Sequence, residues 1–503
     1  MNKKKIFITI IISGVAFGIN YLINFFLTPF ITENIGTEAY GYVNLAKTIA
    51  SYAVIMTAAL NSYATRYIAI AYHEKNFEKT NQYFNSVLFS NIFIGILLIV
   101  SCVFFLFFIP NPLNAPSVLI KDVSVLLVLV FSNLFLSLSN TALQAASIIQ
   151  DKLTVVSIFK GVSYCVEAIS LLCMYAVFKP RVYFIGIGLI CATLVLSISN
   201  FIMTRKYTPE LKISFKFFDI VSVKKLVLNG IWNSLNSLGN MLNSGLDLMI
   251  SNILLGGVVL GQVSIVKTFT SIFSVLFQMV AQPFQPSLIK LYADNEMEKL
   301  VDVLRFSMKI SGMVSNLAFA GIVGLGLNYY DLWIPNQNTE LLYRLTIIAV
   351  TSSILEGAIC PLYYIYTLTV KNKIPCIITI MGGISNVLGM CFLIQYTSMG
   401  IYAIFVTTAV IMLIINGITN PVYMTKCLKL PWYTFYPTLG RHVLSCVVMS
   451  ISFYFFVRAL NPTSWIEFLE ILFFVVGIGI IEHLFIVFDV KDLIEYLKKI
   501  VTK

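Results

Sequence analysis

The chain has 503 residues, 58% of them hydrophobic and only 11% charged, with a formal net charge of +11 and a mean hydropathy of +0.87. Soluble domains carry roughly 25% charged residues, so lipid rather than water must be the main solvent here, which excludes a soluble enzyme. The Lys and Arg residues sit in short gaps between long apolar runs, which makes them topology signals and not a surface for nucleic acid.

Windows of about 20 apolar residues predict about 14 transmembrane helices. The first runs over 6–31, behind Met1-Asn-Lys-Lys-Lys5. Its apolar stretch exceeds the roughly 7–15 residues of a signal-peptide core and no small-x-small cleavage site follows, so it reads as a retained span. Further spans fall at 40–70, 84–109, 123–148, 154–178 and 182–203. The gap 205–225 contains ISFKFFDIVSVKK, whose mixture of Phe, Ile and Lys fits a segment lying in the membrane interface. Spans resume at 226–254, 260–288, 306–330, 341–368, 374–396, 400–424, 442–460 and 466–488. From residue 489 the tail places Val490, Leu493, Ile494, Leu497 and Ile500 on one helical face and lysines on the other. That pattern fits a helix on anionic lipid and equally one packed on the protein's own loops.

With the N-terminus in the cytoplasm, about 27 Lys and Arg residues fall on the inner side and about 5 on the outer, a bias that a wrong span count would scramble. Both termini are therefore expected in the cytoplasm. The nine cysteines show no C-x-x-C spacing and read as small hydrophobes.

A shift of 220 residues lays Gly36, Gly41 and Val43 on Gly256, Gly261 and Val263, then Lys47-Thr48 on Lys267-Thr268, Ser51 on Ser271 and Tyr72 on Tyr292. Upstream, Asn20 meets Asn240 and Leu22 meets Leu242. The matches fall at the first two spans of each six-span half, so both halves enter the membrane in the same sense. Such parallel repeats are related by an axis along the membrane normal, with the substrate path at their interface. The expected organisation is a first lobe over 1–204, a basic interfacial loop over 205–225, a second lobe over 226–425, two further spans over 426–488 and an amphipathic tail over 489–503.

Charges inside a span are costly. Lys47 shares a helical face with Asn44 and Ser51, and Lys267 shares one with Ser264 and Ser271. Snorkelling to the outer surface would accommodate both. The polar companions favour instead two cations facing each other across a central cavity, ready for an anion. Span seven carries Asn229, Asn233, Asn236, Asn240, Asn243 and Asp247 at alternating steps of four and three, and span four echoes it with Asn133, Ser137, Asn140, Gln144 and Ser147. Stripes of this length fit a water-filled path better than interhelical hydrogen bonding. Asp247, Glu167 and Glu356 are candidates to bind a coupling ion, with simple ion pairing as the plainer role. Pro361 should kink the helix close to Glu356, and Gly14 with Gly18 form a G-x-x-x-G that fits close helix packing.

The chain contains no G-x-x-x-x-G-K-[ST] and no H-E-x-x-H. No cofactor, metal or catalytic residue is expected. Energy must come from a gradient, the membrane potential or consumption of cargo on the far side.

The stretch Leu27-Thr-Pro29-Phe-Ile-Thr-Glu-Asn-Ile-Gly36-Thr-Glu-Ala-Tyr-Gly41, followed by Arg66-Tyr-Ile-Ala69, resembles the start of bacterial polysaccharide flippases of the Wzx type, within the superfamily that includes MATE exporters. Asp247-Leu-Met-Ile250, Leu255-Gly256 and Gly261 carry the same resemblance. The chain departs from the family at Leu248, where Arg is common, and at Val263, where Tyr is common. The resemblance implies an all-α, MATE-like polytopic protein of two six-helix lobes plus two C-terminal helices, working by alternating access in the bacterial cell membrane. It implies an undecaprenyl-diphosphate-linked oligosaccharide as cargo and partners among polysaccharide polymerases or glycosyltransferases. The physical reading agrees: Lys47 and Lys267 suit the diphosphate, and Asn20, Asn44, Ser51, Asn140, Gln144, Asn236, Asn240, Ser264 and Ser271 suit sugar hydroxyls. A MATE-type drug exporter would want carboxylates inside the first span, which has none. A lipid II flippase would want arginines in its cavity, and a scaffold would need no charges at matched depth.

Overall fold

The computed structural model describes all residues except 1–2, 110, 112, 151, 370 and 489–503, so the tail helix expected from 489 lies outside the described residues. Fourteen main helices follow one another: α1 Lys3–Asn34, α2 Thr37–His73, α3 Phe77–Phe108, α4 Ile120–Leu143, α5 Leu153–Val177, α6 Phe184–Tyr207, α7 Ile220–Ser244, α8 Gly257–Ala281, α9 Met297–Trp333, α10 Thr339–Thr351 continuing as Ser353–Ile359, α11 Lys373–Tyr396, α12 Tyr402–Ile414, α13 Tyr436–Leu460 and α14 Trp465–Val487. No strand occurs among the described residues. Twelve helical segments are long and apolar enough to cross a membrane. α7 is not among them, because five asparagines dilute its hydropathy. The protein is a multi-pass, all-α membrane protein among its described residues.

Two compact units divide the chain. The first comprises Met1–Met241 and Gly245–Gly261, the second Leu242–Ser244 and Gln262–Lys503. This division is one of compactness, whereas the lobe boundary expected at 205–225 concerns the repeat.

In the first unit the helices form a ring of neighbours: α2 on α3, α3 on α4, α4 on α6, α6 on α5, α5 on α1 and α1 on α2. Lipid selects the outer faces, so α3 exposes Phe93, Phe104 and Phe107. Its inward face instead buries Phe84 and Val87 against Leu60, Ala64, Leu143 and Leu226. Asn61 and Asn91 exchange amide hydrogen bonds of 2.9 and 3.3 Å across α2 and α3.

Asn81 and Asn85, one turn apart on α3, hold the segment between α6 and α7 as a sheet neighbour would. Asn81 Nδ2 donates to Glu210 O at 2.9 Å and its Oδ1 accepts from Lys212 N at 2.7 Å. Asn85 Nδ2 donates to Lys212 O at 2.8 Å and its Oδ1 accepts from Ser214 N at 2.9 Å. The segment closes on a 3-10 turn, Phe215–Phe217, and α7 starts at Asp219, whose carboxylate accepts from Val221 N and Ser222 N. The Ser222 hydroxyl bond, with these two amides, holds the Asp219 carboxyl below the usual range.

In the second unit α9 packs on α10, α13 and α14. Leu325, Met449, Phe453, Val475 and Phe468 bury one contact, and Leu304, Met308, Leu362, Met424 and Leu439 another. His442 and His483 are fully buried there: each presents Nε2 to a backbone carbonyl, Ile354 O at 2.9 Å and Lys309 O at 3.0 Å. Buried polar rings need such partners, and the two carbonyls supply them.

Several of the expected spans are broken rather than continuous. The span expected over 226–254 ends as α7 at Ser244 and restarts as a short helix, Asp247–Leu255. α8 passes through the 3-10 turn Gln282–Phe284 into Gln285–Ala293. Near Pro361 the α10 helix gives way to a 3-10 turn, Cys360–Tyr363, because proline removes a helix donor. The packing expected of the G-x-x-x-G is absent at Gly18, where an added Cβ would meet nothing within 4 Å.

Candidate functional site

The two repeat-related lysines occupy equivalent places. α2 begins at Thr37 and α8 at Gly257, so Lys47 and Lys267 each stand ten residues into their helix, about 15 Å along its axis. Both are half-buried. The start of each helix is marked by a glycine at matched positions, Gly36 with φ 111° and Gly256 with φ 90°, a conformation that side chains resist. Five residues further on, the matched pair Gly41 and Gly261 meet. A Cβ on Gly41 would lie 2.7 Å from Gly261 N, and one on Gly261 would lie 2.3 Å from Thr37 O.

Around Lys47 the first unit gathers several of the expected residues. Glu167 on α5 is buried and lies within electrostatic reach of Lys47. Asn44 is half-buried, and Ser51 is exposed with its hydroxyl donating to Thr48 O at 2.6 Å. Asn20 on α1 accepts at its carbonyl from Asn24 Nδ2 at 2.9 Å.

The α7 stripe divides by environment. Asn229, Asn233, Asn236 and Asn240 are exposed, whereas Asn243 and Asp247 are buried. Asn243 bridges to α11, donating to Thr379 O at 2.6 Å while its carbonyl accepts from Asn386 Nδ2 at 2.6 Å. Asp247 is the first-turn acid of the short helix that follows, where the helix dipole favours a negative charge. Tyr52 of α2 donates to the Gly245 carbonyl at the break and lies within electrostatic reach of Asp247. On α4, Asn140 is buried and its Nδ2 donates to Ser197 Oγ at 2.7 Å, an interhelical hydrogen bond to α6. Gln144, at the end of α4, is exposed.

In the second unit Ser264 is buried and Ser271 exposed, its hydroxyl donating to Lys267 O at 3.0 Å. Glu356 of α10 lies close to Ser274 of α8. Below it lies an amide–phenol network that sequence reasoning did not assemble. Tyr363 Oη donates to Asn416 Oδ1 at 2.9 Å, Asn420 Nδ2 donates to Tyr363 Oη at 3.2 Å, and Tyr366 Oη donates to Asn420 Oδ1 at 3.0 Å. Asn416 sits in a π-helical turn, Ile415–Thr419, which widens α12 at this point. The signal was present as asparagines four residues apart within an apolar run, but their partners lie more than 50 residues away.

A second group escaped the sequence reading. Asn229 Nδ2 donates to Tyr67 Oη at 2.8 Å, and Lys225 Nζ stands 3.3 Å from Tyr83 Oη and 5.3 Å from the Tyr67 ring centroid. These residues join α7 to α2 and α3 at Tyr67, next in sequence to Arg66, which the sequence had offered only within the stretch that carries the family resemblance.

The sequence family described as "Polysaccharide biosynthesis protein" matches residues 4–291. A relative from Bacillus subtilis (strain 168), named "Uncharacterized membrane protein EpsK", is 28% identical over 413 residues, 82% of this chain and 81% of that protein. Among solved structures, an inward-facing MATE-family multidrug resistance transporter superposes with a TM-score of 0.69 at 13% identity, over 83% of this chain and 99% of that one. Lipid II flippase MurJ in an inward closed conformation gives 0.68 at 15% identity, over 97% of this chain and 100% of that one.

Proposed function

The chain belongs to the polysaccharide biosynthesis protein family, and from that premise we propose that it is a flippase. It moves an undecaprenyl-diphosphate-linked oligosaccharide from the cytoplasmic to the outer leaflet of the bacterial cell membrane by alternating access, with both termini in the cytoplasm. The observation that carries this reading is the matched depth of Lys47 and Lys267, one cation in each half of the repeat. An intramembrane cation is retained where an anion needs it, and a diphosphate headgroup is such an anion.

Sugar hydroxyls need adaptable hydrogen-bonding groups, and the exposed Asn236, Asn240, Ser51 and Ser271 supply them. Asn20, Asn44 and Gln144 are offered in the same role, while the buried Asn140 and Ser264 shape the helices that carry them. Asp247, Glu167 and Glu356 remain the coupling-ion candidates. Of these, Glu356 has the setting best suited to a cation, with a serine, phenols and amides from three helices around it.

Depletion of the protein in its host, followed by labelling with a membrane-impermeant sugar-binding probe, tests the reading. Cargo that accumulates hidden until cells are opened is the expected outcome. Unchanged surface labelling would assign the protein to another task.

A further inference from the structure

The His73 half of α2 carries a face that neither the lysine pair nor the asparagine stripe accounts for. Ser62, Thr65, Arg66, Ile70, His73 and Glu74 line a cavity of about 780 Å³ there. Their spacing of three and four places them on one helical face. Lipid-facing helix surfaces in this protein are apolar, as Phe93, Phe104 and Phe107 of α3 are, whereas this face sets hydroxyls, a guanidinium, an imidazole and the Glu74 carboxylate among Ala69 and Ile70. Arg66 is exposed on it and makes no hydrogen bond or ion pair with any described residue.

α7 crosses α2 at this level in close contact. A Cβ on Gly230 would lie 1.9 Å from Ala59 O and 2.6 Å from Ser62 Oγ. The crossing brings a second cation alongside: Lys225 stacks on the ring of Tyr67, the residue after Arg66, and is held by the Tyr83 phenol rather than by a carboxylate. Asn229 completes the edge through Tyr67 Oη. Arg66, two hydroxyls and the His73 imidazole around an open cavity, with Glu74 at its end and no carboxylate paired to Arg66 among the described residues, form a receptor for a phosphate ester. A guanidinium matches that geometry because its planar fork binds two phosphate oxygens at once.

We propose that this face, with Arg66 as the anion-binding group, first holds the diphosphate end of a lipid-linked cargo at the inner leaflet. The assignment rests on the flippase reading for the identity of the cargo and on the charge sorting for the leaflet. It adds a loading position on α2 about 19 residues past Lys47 in sequence, nearly 30 Å along the helix.

The shared chemistry, a phosphate ester on a lipid, has two sources: polyprenyl diphosphate and bulk anionic phospholipid. The test is native mass spectrometry of the purified full chain titrated with undecaprenyl diphosphate, with phosphatidylglycerol as the parallel ligand. Arg66→Gln should weaken undecaprenyl diphosphate binding about tenfold or more, the loss of one charge-assisted contact, and leave phosphatidylglycerol binding unchanged. Arg66→Lys, which keeps the charge and loses the fork, should fall between; it also shows that a folded variant is being measured. Unaltered diphosphate binding by Arg66→Gln would overturn the site, and equal loss of both lipids would overturn its assignment to cargo. Binding that depends on Arg66 in a protein that flips nothing would keep the site and defeat the flippase reading. Flipping with Arg66-independent binding would do the reverse.

Discussion

A lysine ten residues inside a spanning helix is retained against a cost of about 2.5–3.5 kcal/mol at mid-span, and this chain retains two at equivalent places. Changing both Lys47 and Lys267 to Ala should abolish transport while membrane expression stays normal, since the substitutions remove a cost to insertion. Transport and expression are measured together by surface labelling of cargo and by immunoblot of membranes. Normal transport in the double variant would remove the lysines from the mechanism. Because Glu167 lies within electrostatic reach of Lys47, Glu167→Gln should slow transport without lowering membrane expression, read by the same labelling and immunoblot; unchanged transport would remove Glu167 from the mechanism.

These residues were legible in sequence because a charge within an apolar run stands out whatever surrounds it. Their neighbours were less so. Asn140 reads as part of a polar stripe, yet it spends its amide on Ser197, 57 residues away. Periodicity reports which residues share a face and says nothing of what that face meets.

At the scale of elements, close approach and side-chain ladders set the geometry. Gly41 and Gly261 allow helix starts from the two repeats to touch. A leucine at either position should destabilise the protein by about 1–3 kcal/mol through overpacking, read as a lower melting temperature in detergent. An unchanged melting temperature would mean that this contact is not made. The Asn81 and Asn85 ladder makes a different prediction. Replacing either with Ala removes two hydrogen bonds worth about 1 kcal/mol each. The segment 209–219 should then exchange its amide hydrogens faster while the remainder of α3 stays protected, and equal protection would contradict the ladder.

Helix existence was readable at nearly every span, since long apolar runs permit little else in lipid. The breaks were not. Ser244 to Asp247 and the π-helical turn at Ile415–Thr419 arise where Tyr52, Tyr363 and Tyr366 satisfy freed backbone or amide groups from other helices. Such tertiary compensation has no local signature. The interfacial segment was expected from its Phe, Ile and Lys content, and Phe215 and Ile213 do stand exposed beside Lys212 and Lys216. The asparagine ladder that holds them there had no such expectation.

For the whole molecule, composition and span count led to a multi-pass membrane protein, and the resemblance carried by the stretches at 27–41, 66–69 and 247–261 led to the family that the matched region over residues 4–291 identifies. The proposed cargo, a lipid-borne diphosphate with a sugar chain, requires cations, adaptable amides and a path through the bilayer, and this chain carries two lysines in repeat-related places. The most direct test is purified protein in liposomes loaded with a fluorescent undecaprenyl-diphosphate-linked oligosaccharide in both leaflets, with an impermeant quencher added outside. The account predicts that quenching proceeds beyond the outer-leaflet fraction toward completion, and that the Lys47→Ala, Lys267→Ala protein stops at the outer-leaflet fraction. Quenching by the unaltered protein that stops where protein-free liposomes stop would contradict it.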